Sequence, residues 1–180
     1  MRFAPLITPG TVLDLACGRG RHARLLAARG YAVVALDRDQ ALLAPLVASG
    51  IQACCVDLEA DVRGDAWPFA QQCFSGIVVT NYLHRPLLPK LLQSLAAGGV
   101  LIYETFMRGN GVFGKPSNPA FLLESQELLK LLQQATAPAM QVLAFEEGRV
   151  ERPKTALIQR ICARRLPLPA DATAAALDAF

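Results

Sequence analysis

The sequence predicts a doubly wound α/β sheet in one domain, and three observations predict it. Residues 11–20 (TVLDLACGRG) read as a buried strand that runs into a tight glycine turn, and residues 21–26 continue as a helix. Strand and helix signals then alternate regularly along the chain. Four successive strands end in a polar residue, Asp37, Asp57, Asn81 and Glu104. In a doubly wound sheet that rim is where ligands bind. Any one of the four also fits a wet loop; together, with the glycine turn, they favour a site.

The bulk properties agree. The chain has 180 residues, 53% apolar and 18% charged, enough for one sizeable core. The net charge of +3 is too small to argue for nucleic acid by itself. No long apolar segment or cleavage signal opens the sequence, so no signal peptide is expected. Residues 40–56 and 66–83 lack charge over about the length of a membrane span. Both are broken by Pro or Gly and by Gln, Ser or Asn, so helix, turn, loop and strand are expected there rather than a span. Five cysteines, Cys17, Cys54, Cys55, Cys73 and Cys162, form no CxxC pair, and His22 and His84 lie far apart. No metal site is expected, and an odd thiol count without a secretory signal points to a reduced, cytoplasmic protein.

In order, residues 12–15 are the first strand. Cys17, Gly18, Arg19 and Gly20 make the turn, where glycine lets backbone approach a ligand without a Cβ in the way. Asp14 lies inside that strand, and a buried carboxylate needs a partner, either a cationic ligand or backbone and water donors. Residues 31–36 (YAVVAL) are the second strand, and residues 40–48 a helix that Pro45 kinks or begins. Residues 51–56 (IQACCV) are the third strand, and residues 58–74 are mostly loop. Residues 76–80 (GIVVT) are the fourth strand; residues 86–95 are a helix stopped by Gly98 and Gly99. Residues 100–103 are the fifth strand, and residues 106–121 a long loop rich in Gly, Asn and Pro. Residues 125–135 form an amphipathic helix with Ser125 as N-cap. Residues 140–146 and 155–163 are strands joined by a charged turn, too close for a crossover, hence an antiparallel hairpin. The domain is placed at residues 1–165, with a tail at 166–180 that is either a loose arm or a docked helix. There is no internal repeat.

Asp37 lies 17 residues after Gly20, the spacing at which a carboxylate accepts both hydroxyls of a ribose. Asp57 followed by Leu58 suits an adenine amino group and ring face. Residues 18–23 also fit G-x-G-x-x-A, but a dinucleotide is disfavoured. Asp14 has the wrong sign for a pyrophosphate, Asp57 has no task in a dehydrogenase, and no second domain holds a hydride acceptor.

VLDLACGRG, VVALDRD, CCVDLE, GIVVTNYLH and GGVLIYETF, in this order and spacing, resemble the class I S-adenosylmethionine-dependent methyltransferases over residues 11–165. Within them the chain looks most like the small tellurite-resistance-type enzymes. The resemblance implies a Rossmann-like seven-stranded sheet of order 3-2-1-4-5-7-6 with strand 7 antiparallel, and S-adenosyl-L-methionine as cofactor. It implies that Asp14, Gly18 and Gly20 cradle the methionine end, that Asp37 binds the ribose and Asp57 with Leu58 the adenine, and that Asn81 lies near the sulfonium. Ala16, Cys17, His22 and Arg38, beside these motifs, complete the expected cofactor set. Asp14 would then face the ammonium of the cofactor's amino-acid tail.

The acceptor side follows. The loop after the fourth strand, Asn81-Tyr82-Leu83-His84, lacks the prolines of enzymes that methylate exocyclic base amines, and no Pro-Cys nucleophile is present. His84 and Tyr82 are the candidate catalytic residues; a helix-start histidine bonded to backbone and a packed ring are the alternatives. Tyr103, Glu104, Phe106 and Lys115 are expected to line the acceptor pocket, with residues 106–121 as a lid. Arg19, Arg21 and Arg24 either recognise an anion or form a solvated helix face. The first strand starts too early for a covering helical extension. The pocket is therefore open, covered by the 106–121 loop, or closed by a second subunit in a homodimer. The expected activity is in-line methyl transfer to a small-molecule acceptor, with no membrane partner and no nucleic acid. An S-adenosylmethionine-binding accessory protein, or an RNA or protein methyltransferase, are the alternatives.

Overall fold

The computed structural model describes residues 2–60, 66–135 and 138–166. Seven strands form one sheet: β1 Thr11–Leu15, β2 Ala32–Asp37, β3 Gln52–Cys55, β4 Phe74–Thr80, β5 Leu95–Phe106, β6 Met140–Val150 and β7 Ala156–Arg165. Their order is β3-β2-β1-β4-β5-β7-β6. The first five pair in parallel, and β7 runs antiparallel to both β5 and β6. Helices α1 Arg21–Ala27, α2 Gln40–Val47, α3 Leu88–Ser94 and α4 Glu127–Gln134 pack on the sheet. The expected fold class and strand order are those observed.

Strand parity sorts the core into two layers. Leu13, Leu15, Val34, Leu36, Ile77, Val79, Leu101 and Tyr103 face α3 and α4. Val12, Val33, Ala35, Val78 and Val100 face α1, α2 and the N-terminal residues Phe3, Ala4 and Ile7. Strands buried on both faces need continuous apolar runs, which is how β1, β2 and β4 read in the sequence.

Several boundaries differ from expectation. Pro45 lies inside α2, past its first turn, and Asp39 caps that helix by accepting from Ala41 N at 2.9 Å. The helix expected over 86–95 divides into a 3-10 turn, Arg85–Leu87, and α3, which ends at Ser94. Gly98 and Gly99 therefore do not stop a helix. They lie in the irregular start of β5, where Phe74 pairs with Leu95 and Gly76 with Val100, so extra residues bulge from β5. Backbone already crowds Gly99: a Cβ there would stand 2.9 Å from Ala96 O. Ser125 does not cap α4. Gln126 is the N-cap, and the Ser125 hydroxyl donates instead to Glu147 Oε1 at 2.8 Å. Glu104 does not end a strand; β5 runs on to Phe106 and pairs with β7 from Val100 to Phe106. The expected tail lies outside the described residues from 167 onward.

Candidate functional site

The sequence places a turn at the rim end of β1, and the structure shows what holds it. Gly20 N donates to Cys17 O at 2.9 Å, and Arg24 N donates to Gly20 O at 2.9 Å, opening α1. Asp37, at the tip of β2, accepts from Gly18 N through Oδ2 at 2.8 Å and from Asp39 N through Oδ1 at 3.0 Å. One carboxylate thus fixes both the turn and the bend into α2. Asp57 accepts from Glu59 N at 2.9 Å, which turns the chain after β3.

Asp14 shares the strand face of Val12 and so faces α1. It is 1% exposed, and Oδ2 accepts from Ala23 N at 2.8 Å. Gly20, at the N-cap, has no side chain to do this, so Asp14 caps the helix from the neighbouring strand. Burial drives its pKa up to about 7, against the lowering pull of the Ala23 hydrogen bond and Arg21. Of the two partners open to it, a cation or backbone, the structure gives it backbone, and it lines neither of the clefts at the rim.

Two clefts meet at Ala16. The first, of about 200 Å³, is lined by Asp37, Arg38, Asp57, Leu58, Glu59 and Tyr82. The second, of about 550 Å³, includes Cys17, Gly18, His22, Asn81, Glu104, Phe106 and Lys115. Most of the expected site residues are therefore brought to one edge of the sheet. Gly18 has φ +53, and nothing lies within 4 Å of where its Cβ would be: a side chain would project into open space. Gly20, at φ +72, is different; a Cβ would strike the Leu46 side chain. Its role is to let α1 approach α2, and it is not a wall of the cleft.

Four expectations need correcting. Tyr103 does not reach the second cleft. It is 1% exposed on the α3/α4 face, and its hydroxyl donates to Tyr82 O at 2.9 Å. His84 lines neither cleft, and its buried Nε2 has no hydrogen-bond partner among the described residues. Tyr82 lies in the first cleft, not beside the acceptor-side residues. Burial, and then the charge and hydrogen bond of Glu59, push its phenol above the usual range. The 106–121 segment is pinned rather than hinged. Asn110, 2% exposed, donates to Pro116 O at 3.0 Å and accepts from Leu157 N at 3.1 Å, while Leu123 N donates to Phe106 O at 2.9 Å.

Other side chains were not anticipated. Thr80 approaches His22 Nδ1 at 3.3 Å. Burial, then Arg21, holds the His22 imidazole down at about 4, so it is neutral near pH 7. Arg152 and Lys154, from the β6–β7 turn, line the second cleft together with Phe106, Phe113 and Lys115 of the 106–121 segment. Arg160 of β7 pairs with Glu104 at 3.1 Å and Glu146 at 3.5 Å. Of Arg19, Arg21 and Arg24 only Arg21 lines this cleft; Arg24 instead donates to Ser49 Oγ at 2.9 Å. The Cys17 thiol, at the cleft wall, is pushed up to about 12 by burial, Asp14 and Asp37, which leaves it protonated and unreactive. Among the described residues no cluster of His, Cys, Asp and Glu could hold a metal ion, and no helix is long and apolar enough to cross a membrane.

This geometry has known counterparts. Residues 12–99 match the family described as "Methyltransferase domain". TehB from Haemophilus influenzae superposes with a TM-score of 0.68 at 22% identity, over 89% of this chain; the chain spans 59% of that protein's length. An S-adenosylmethionine-dependent methyltransferase from Mesorhizobium loti superposes with a TM-score of 0.68 at 18% identity, over 91% of this chain and 94% of that one. The 1,6-didemethyltoxoflavin-N1-methyltransferase of Burkholderia thailandensis, solved with bound 1,6-didemethyltoxoflavin and S-adenosylhomocysteine, has a TM-score of 0.63 at 20% identity, over 92% of this chain and 75% of that one. No curated protein sequence matches the chain.

Proposed function

We propose that the chain is a class I S-adenosylmethionine-dependent methyltransferase, supported by the family match over residues 12–99 and the shared fold, and that it methylates a small molecule held in the second cleft. The observation that carries this reading is the meeting of the two clefts at Ala16. One is sized and lined for a nucleoside, the other is larger and opens beside the same glycine turn. The cofactor S-adenosyl-L-methionine, when bound, supplies an electrophilic methyl and its own leaving group. Asp37 would accept the ribose hydroxyls, Asp57 the adenine amino group, and Leu58 and Tyr82 would cover the ring. The space in front of Gly18, which any Cβ would fill, fits the amino-acid tail, beside Cys17, His22 and Asn81.

The protein's own work is to orient two reactants and exclude water. Asp14 acts through α1: by capping Ala23 it holds the helix start against the turn. Calorimetry with S-adenosylhomocysteine tests the reading, with NADPH as control. Binding of the first and not the second is expected. Asp37→Ala should weaken that binding at least about tenfold, or about 1.4 kcal/mol. Retention of full affinity in Asp37→Ala would overturn the ribose assignment.

A further inference from the structure

The second cleft divides by charge. Among its lining residues Phe106 and Phe113 are half-buried and Ile158 is buried, whereas Lys115, Arg152 and Lys154 are exposed. These cations come from two separate elements, the 106–121 segment and the β6–β7 turn. The turn closes tightly on the segment: a Cβ on Gly114 would stand 3.0 Å from Lys154 Nζ, next to Lys115 in sequence. Arg149 also lies over the Phe113 ring at 5.7 Å. Gathering like charges costs energy unless something negative shares the space.

Nearby carboxylates do not serve. Glu151 is taken by Arg149 and Thr155. Glu104 and Glu146 are taken by Arg160. Among the described residues, Lys115, Arg152 and Lys154 form no ion pair.

We propose that the methyl acceptor is a small organic anion, its apolar body against Phe106 and Ile158 and its carboxylate or phosphate at Lys115, Arg152 and Lys154. The inference rests on the methyltransferase reading and adds the substrate class.

The test uses the whole chain loaded with S-adenosylhomocysteine. Matched probes are titrated by calorimetry and ligand-observed NMR: 2-hydroxybenzoate against 2-hydroxybenzamide, cinnamate against cinnamamide, phenyl phosphate against phenol. The acids should bind at least about tenfold more tightly than their neutral partners, with inorganic sulfate a poor competitor. Lys115→Gln, Arg152→Gln and Lys154→Gln combined should abolish that preference while S-adenosylhomocysteine still binds. Equal binding of acids and neutrals, no binding of any acid, or a preference that survives the triple substitution would overturn the proposal. So would a single-stranded RNA 12-mer that displaces the acids and is itself lost on the same substitution. If S-adenosylhomocysteine itself fails to bind, the methyltransferase reading fails instead, so the two failures are distinguishable.

Discussion

The two glycines of the rim turn are alike in sequence and unlike in function. Both have left-handed backbone, so alanine at either costs about 1 to 2 kcal/mol. At Gly20 the new methyl also overpacks Leu46, for a total of about 2 to 4 kcal/mol. At Gly18 it meets nothing in the protein. Gly20→Ala should therefore lower the urea midpoint strongly, and the loss in Gly20→Ala/Leu46→Ala should be smaller than the sum of the two single losses. Gly18→Ala should fold nearly normally and lose S-adenosylhomocysteine affinity. The reverse pattern would refute the cradle. Asp14 and His22 act on stability with opposite signs. Asp14 titrates near 3.8 unfolded and about 7 folded. Over that window the native chain holds the extra proton, so stability falls as pH rises, by at most about 1.4 kcal/mol per pH unit. His22 titrates near 6.5 unfolded and about 4 folded, so its contribution rises with pH between those values. Asp14→Asn should leave stability steeper and rising from pH 4 to 6.5. His22→Gln should leave it falling from pH 4 to 7. Urea unfolding across this range checks both, and an unchanged slope in Asp14→Asn would contradict the raised pKa.

Elements were legible where burial decides them and obscure where contact between distant segments does. The apolar run ending in Asp37 marks a strand buried on both faces and the run before Asp57 the half-exposed edge strand β3, so the parallel half of the sheet could be read directly. The charged turn between β6 and β7 could be read only as a solvated loop. Nothing local tells Arg152 and Lys154 that the hairpin will close on the 106–121 segment. Tyr103 and Glu104 were assigned together to the acceptor side, although strand alternation sends adjacent residues to opposite faces; parity puts only Glu104 at the cleft. The glycine-rich 106–121 segment was read as a lid from composition, whereas one buried side chain makes it a wall. Asn110→Ala would leave Leu157 N–H and Pro116 C=O without that partner, at a cost of about 2 to 3 kcal/mol. Hydrogen exchange at Leu157 should accelerate markedly more than at Leu101 in β5. Equal protection in both proteins would restore the hinged lid.

At the scale of the whole molecule, the strand order gathers the rim residues. β1 lies between β2 and β4, so the glycine turn sits beside Asp37 on one side and Asn81 on the other. The backbone ties continue past the strand ends, with Cys17 N donating to Leu36 O and Asn81 N to Glu104 O, both at 2.9 Å. A ligand that fills both clefts therefore bridges β3 through β5 and binds only when all are in place. Such a ligand stabilises the native chain by linkage: about 2.7 kcal/mol at a free concentration of 100 times its Kd. For a chain of this size that is a rise in Tm of about 5 to 10 °C. S-adenosylhomocysteine should produce this rise in calorimetric scans and NADPH should not. Asp37→Ala, at a roughly tenfold loss of affinity, should remove about half of it, because that carboxylate faces the first cleft while holding Gly18 N beside the second. A rise of equal size with NADPH, or an undiminished rise in Asp37→Ala, would mean that the rim is built for another ligand.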